Sequence, residues 1–172
     1  MGTKSKNKGK SWERDVANFL SKLYGESFIR VPASGAYVGG KNAVRKEFLH
    51  EGQIRSMKGD ITPPGEWKHF NVECKSYAEF PFHQLFTEGP INLLENWIEQ
   101  TLDAADENDL NIIIMKFNRK GSFIAFEYKN FPQFSTNRHI RYNSERYGPW
   151  AFTGFDEFWQ LNKDAVKTLS IP

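Results

Sequence analysis

Cysteine is nearly missing from this 172-residue chain: the single residue Cys74 cannot form an internal disulfide. Long apolar runs are missing too, and with no stretch of about 18 apolar residues a transmembrane helix is excluded. The N-terminus lacks the charged–apolar–small order of a secretory signal, so a soluble protein in a reducing, cytoplasmic setting is expected. No Pro-, Gly- or Ser-rich or charge-biased stretch divides the chain, and no internal repeat or low-complexity tract occurs, which predicts one domain. An excess of one charge is also absent. The 23 Lys and Arg against 21 Asp and Glu leave a net +2, too little to indicate a polyelectrolyte partner by itself.

Aromatic residues, by contrast, are plentiful at 15%, and with 39% hydrophobic residues overall they suffice for a dense core. The cations are also unevenly placed. Lys4, Lys6, Lys8 and Lys10 fall in the first ten residues, and Lys41, Arg45, Lys46, Arg55 and Lys58 gather just ahead of Asp60. Residues 1–10 read as a flexible basic arm ahead of a domain spanning 11–172. A lysine-rich terminus alone is as readily a solvated tail. Two basic segments flanking an acidic cluster favour contact with phosphates, with Lys10, Lys41, Arg45, Lys46 and Lys58 as candidates.

Ser11 can cap a helix to about Tyr24 with the apolar stripe Trp12, Val16, Phe19, Leu20 and Leu23, stopped by Gly25. Ser27–Val31 reads as a short strand, followed by a long connection to about Lys58. Asp60-Ile61 and Phe70–Ser76 read as two strands of a hairpin across Pro63-Pro64-Gly65. Ile91 to about Asn108 is helical in period. Ile112–Met115 reads as a strand buried on both faces, paired with Ser122–Tyr128 across Asn118-Arg119-Lys120-Gly121. Beyond Phe131 the chain reads as aromatic and irregular until a last helix at Phe155–Leu169. Trp150, Phe152, Phe155, Phe158 and Trp159 would form a stacking surface for unpaired bases or, more simply, Phe155, Phe158 and Trp159 form the buried face of the last helix. The order predicts an α/β fold, a mixed central sheet with helices packed on it.

In Asn71-Val72-Glu73-Cys74-Lys75, strand alternation puts Glu73 and Lys75 on one face. If Asp60 lies on the neighbouring strand, two carboxylates converge beside one ammonium group. Oxygen-rich sites of this kind suit Mg²⁺ or Mn²⁺. A metal held by Asp60 and Glu73 would polarise a phosphate and acidify a bound water, with Lys75 orienting that water or offsetting developing charge. Neighbouring carboxylates work against lysine acting as a base. Glu13 borders the apolar stripe of the first helix and can point into the same cleft, although a carboxylate in a first helical turn also simply favours the helix dipole. A Glu-X-Lys alone is equally an ordinary ion pair on a half-exposed strand.

Taken jointly, Gly59-Asp60-Ile61, a hairpin-length gap, and Val72-Glu73-Cys74-Lys75, preceded by a helix bearing Glu13, resemble the PD-(D/E)XK nuclease superfamily. Within it the pattern is most similar to archaeal-type Holliday-junction resolvases and their phage relatives, over roughly residues 9 to 128. The resemblance implies a restriction-endonuclease-like fold and a DNA endonuclease. It assigns Glu13, Asp60 and Glu73 to Mg²⁺ or Mn²⁺ and Lys75 to catalysis. Arg30-Val31-Pro32-Ala33-Ser34-Gly35 resembles the family's Arg-X-Pro-X-Ser-Gly stretch, which would place Arg30 and Ser34 near the DNA backbone. Gln100 stands where the superfamily often presents a polar residue to the site, or is a solvated helix residue.

A junction substrate implies a homodimer, with no organic cofactor and no membrane, in a prokaryotic or phage-infected cell. A restriction, repair or exonuclease role would use the same residues, and a non-catalytic DNA-binding module would keep the fold alone. The sequence departs from the family in Gly59 where its name has Pro, in a longer loop before Asp60, and in an aromatic-rich extension from about residue 129.

Overall fold

The computed structural model describes residues 3–32 and 58–172. Five strands form one mixed sheet: β3 (Phe70–Tyr77), β4 (Leu110–Phe117), β5 (Gly121–Glu127), β6 (His139–Ser144) and β7 (Gly148–Gly154), in the order β3-β4-β5-β7-β6. β3 and β4 run parallel, joined by a crossover through α2 (Asn92–Asp103), and the remaining pairs are antiparallel. β1 (Ile29–Arg30) and β2 (Ile61–Thr62) form a separate antiparallel pair. α1 (Thr3–Tyr24) and α3 (Phe155–Ser170) complete the described elements. This is the single-domain α/β architecture expected from the sequence, a mixed central sheet flanked by helices.

Alternation along the strands divides the core into two layers. Val72, Cys74, Ile112, Ile114, Ile124 and Phe126 face Trp12, Val16 and Leu20 of α1 and Phe158, Trp159 and Val166 of α3. Ile113, Met115, Phe117, Ala125, Trp150 and Phe152 face Leu94, Trp97 and Ile98 of α2. β4 is buried on both sides because it lies inside the sheet with helices on each face.

Four expectations are corrected. α1 begins at Thr3, not Ser11, so the lysine segment read as an arm forms its first turns. Asp60-Ile61 makes no hairpin ladder with β3; Ile61 and Thr62 pair with β1, and Pro63 and Pro64, having no N–H, cannot extend a ladder beyond them. α2 stops at Asp103, short of Asn108, where Asp109 Oδ2 accepts from the Asp106 amide at 2.8 Å and shapes a turn. The stretch after Phe131 is not irregular: it supplies β6 and β7. Phe155, Phe158 and Trp159 form the buried face of the last helix, the simpler of the two readings, and Trp150 and Phe152 are buried as well, so these five offer no stacking platform.

Candidate active site

β3 has β4 along one side only within the five-stranded sheet. Main-chain groups of successive strand residues point to alternate sides, so Val72 and Cys74 offer theirs to the open edge. Asp60 takes both: its amide donates to Val72 O at 2.8 Å, and its Oδ2 accepts from the Cys74 amide at 2.6 Å. Asp60 is thereby fastened to β3 on either side of Glu73. The approach needs Gly59, whose φ is +66° and where a Cβ would stand 2.5 Å from Val72 O. Proline, locked near φ −65°, cannot adopt that backbone, which accounts for glycine where the superfamily's motif has proline.

Glu73 and Lys75 emerge on one face as their spacing predicts, with Lys75 Nζ donating to Glu73 Oε1 at 2.8 Å and also to Gln100 Oε1 of α2. Glu13, on α1, accepts from Arg30 Nε at 2.5 Å. Burial first, and then the nearby Asp60 carboxylate, raise the pKa of Glu73 to about 7 despite the opposing charge of Lys75. The same two causes raise that of Glu13 against the pull of Arg30. Cys74 points to the other face, and burial pushes its thiol well above the usual range, so it offers no thiolate ligand.

The structure therefore brings Glu13, Arg30, Asp60, Glu73, Lys75 and Gln100 into one neighbourhood. Lys58 does not join it as an exposed cation: it is 3% exposed and paired with Asp109 and Asp106. This corrects its reading as a phosphate contact, because a side chain held inside by a buried carboxylate is not offered to a backbone. Lys10 is exposed on α1. Ser34, Lys41, Arg45 and Lys46 lie outside the described residues. Sequence reading missed the Lys58–Asp109 pair, for which no local pattern gives a signal, and the Cys74 amide as the partner of Asp60.

A divalent cation can be tested against these donors. Among the described residues no three His, Cys, Asp or Glu side chains form a ready metal group: Glu13 turns to Arg30, Glu73 to Lys75, and Asp60 to the Cys74 amide. The donor set nevertheless fits a hard cation: it offers carboxylate oxygens only, partly buried and repelling one another. Binding through Glu13 requires that carboxylate to leave Arg30.

Asp60 beside the edge strand β3, and Glu73 and Lys75 upon it, bring two carboxylates and a lysine together on a mixed, helix-flanked sheet, the arrangement expected of the PD-(D/E)XK class. The profile of the family described as "Phage putative PDDEXK endonuclease" matches residues 4–168, and the chain belongs to that family. The match runs through β6, β7 and α3, well past the residue 128 at which the sequence resemblance stopped. The chain is also similar to Protein D14 of Escherichia phage T5, with 28% identity over 131 residues, covering 74% of this chain and 73% of that protein. No solved structure matches the chain. Nucleases of this class generally use divalent metal ions. No helix among the described residues is long and apolar enough to cross a membrane.

Proposed function

We propose that this protein is a Mg²⁺- or Mn²⁺-dependent DNA endonuclease that cuts branched DNA, Holliday junctions foremost, with water as the nucleophile. One observation carries the reading: Asp60 is tied to β3 on both sides of Glu73, with Lys75 alongside. A cation held by Asp60, Glu73 and Glu13 would polarise the scissile phosphate and supply a water of lowered pKa. Lys75 gives two of its three donors to Glu73 and Gln100, which leaves the third for a phosphate oxygen or the attacking water. Gln100 acts by holding Lys75. Arg30, once exchanged from Glu13, presents a planar guanidinium suited to phosphate. Lys10, with Ser34, Lys41, Arg45 and Lys46, contacts the DNA backbone. Symmetric cuts across a junction need two sites, hence a two-fold homodimer, and its work on phage or bacterial DNA is cytoplasmic.

The test is cleavage of labelled four-way junction, linear duplex and single strand in Mg²⁺, Mn²⁺ and EDTA. Paired nicks at the junction, dependent on metal and reduced roughly 100-fold or more in Asp60→Ala, are expected. Equal cutting of linear duplex would remove the junction assignment. Binding with no cutting of any substrate would leave a non-catalytic module.

A further inference from the structure

The turn between β4 and β5, Asn118-Arg119-Lys120-Gly121, lies just past the end of the strand that carries Glu73 and Lys75. Ser76 and Tyr77 of β3 pair with Lys116 and Phe117 of β4, and the Asn118 amide donates to Tyr77 O at 3.2 Å. The N-terminal turns of α1 reach the same end. Lys8 Nζ donates to Asn118 Oδ1 at 3.2 Å, and Lys116 Nζ sits 5.0 Å from the ring centroid of Trp12, whose indole N–H bonds Ile114 O. Lys8, Lys116, Arg119 and Lys120 are all exposed and form one cationic shelf, against which Glu79 pairs with Lys120 at 2.6 Å.

Arg119 adds an independent sign. Its φ is +59°, and it is the one non-glycine residue among those described with a positive φ. Glycine or asparagine adopts that backbone far more readily. A strained backbone at an exposed tip, carrying a long cation, points from strain to use.

We propose that this shelf binds the phosphate backbone of the DNA arm leading away from the cut, with Arg119 as its outermost contact. The proposal rests on the nuclease reading for its direction, since the carboxylates mark where the strand is cut. From Lys75 to Asn118 the register spans three residues of strand, about 10 Å at a rise of about 3.3 Å each. That equals roughly three nucleotides of axial advance at about 3.4 Å. The shelf therefore grips a duplex arm a few nucleotides from the scissile phosphate, on a surface assembled from two segments far apart in sequence.

The test uses the full chain in EDTA, titrating a short labelled duplex by anisotropy over a range of salt. Arg119→Gly removes the charge while relieving the backbone, so its melting temperature should equal or exceed that of the wild type. Binding should weaken about 5- to 10-fold near 0.1 M salt, and the slope of log K against log salt should become shallower by about 0.9. Lys116→Ala/Arg119→Gly/Lys120→Ala should flatten the slope by about 2 to 3, while Lys22→Ala, at the far end of α1, leaves it unchanged. An unaltered slope in the triple variant, or an equal loss in Lys22→Ala, would overturn the shelf. If the wild type binds with a steep slope that the triple variant loses, yet cuts nothing with metal, the shelf stands and the nuclease reading falls. Cutting with a slope indifferent to these residues removes the shelf alone.

Discussion

Glu73 is the residue at which folding and chemistry oppose each other. The residue is 8% exposed and its carboxyl lies near Asp60, so its pKa rises from 4.5 to about 7. Below pH 4.5 the group is protonated in both folded and unfolded chains and contributes no difference. Between 4.5 and 7 the unfolded chain releases the proton while the folded one keeps it, so stability falls as pH rises, and above about 7 the loss is constant. At roughly 1.4 kcal/mol for each tenfold change in proton affinity, the loss is on the order of 3 kcal/mol. In EDTA, Glu73→Gln, which keeps an acceptor for Lys75, should match the wild type at pH 4 and exceed it by about 1–3 kcal/mol at pH 8 in urea unfolding. A gap that does not change with pH would contradict this. The face shared by Glu73 and Lys75 was legible because alternation along a strand is local. The burial of Lys58 was not, because its partner Asp109 is 51 residues away and nothing near Lys58 announces it.

Among the described elements, the segment that presents Asp60 is irregular yet held at several points. It is two-residue β2, a left-handed Gly59 and, just before them, Lys58, 3% exposed against an Asp109 that is fully buried. Asp109 also shapes the turn leading into β4, and the Leu110 amide bonds His69 O at 2.7 Å, so one ion pair ties the Asp60 segment to the starts of β3 and β4. Removing Lys58 leaves the buried Asp109 with the Asp106 amide and the His69 ring, and removing Asp109 leaves the buried Lys58 with the exposed Asp106 as its ion-pair partner. Lys58→Met or Asp109→Leu should each cost about 3–5 kcal/mol by urea unfolding at neutral pH, and the double variant should recover most of that. Single variants within about 0.5 kcal/mol of wild type would mean that water reaches the pair. The sequence predicted a hairpin here from two short runs around a Pro-Pro-Gly turn. Two residues are too few to fix a register, and the prolines block its extension, so tertiary contact decided the pairing. β6 was legible in principle: Ile140, Tyr142 and Ser144 alternate with the exposed His139, Arg141 and Asn143. β7 was harder, since Gly148 and Pro149 at its start read as turn signals.

At the scale of the whole molecule, the question is whether residues 129–172 are an addition to a nuclease or part of its frame. β7 pairs with β5, matching Ala125 to Phe152 and Glu127 to Trp150, and carries β6 outside it, so this region supplies the two strands that extend the sheet beyond β5 and cover its edge. Trp150 and Trp159 are 1% exposed and Phe158 fully buried, the first filling the layer under α2 and the other two the layer under α1. The sequence separated this region because a resemblance anchored on Asp60, Glu73 and Lys75 ends where the catalytic motif ends, whereas sheet membership depends on pairings across the chain. Loss of a single buried aromatic side chain typically costs about 3–5 kcal/mol, and a domain's whole stability is about 5–15 kcal/mol. Three such losses, about 9–15 kcal/mol, already span most of that range, and an open β5 edge adds to them. A fragment ending at Tyr128 should therefore show no cooperative melt by circular dichroism and should aggregate through its unpaired β5 strand. A cooperative transition in that fragment would instead make the C-terminal strands dispensable, and the aromatic layer they contribute an accessory to the core.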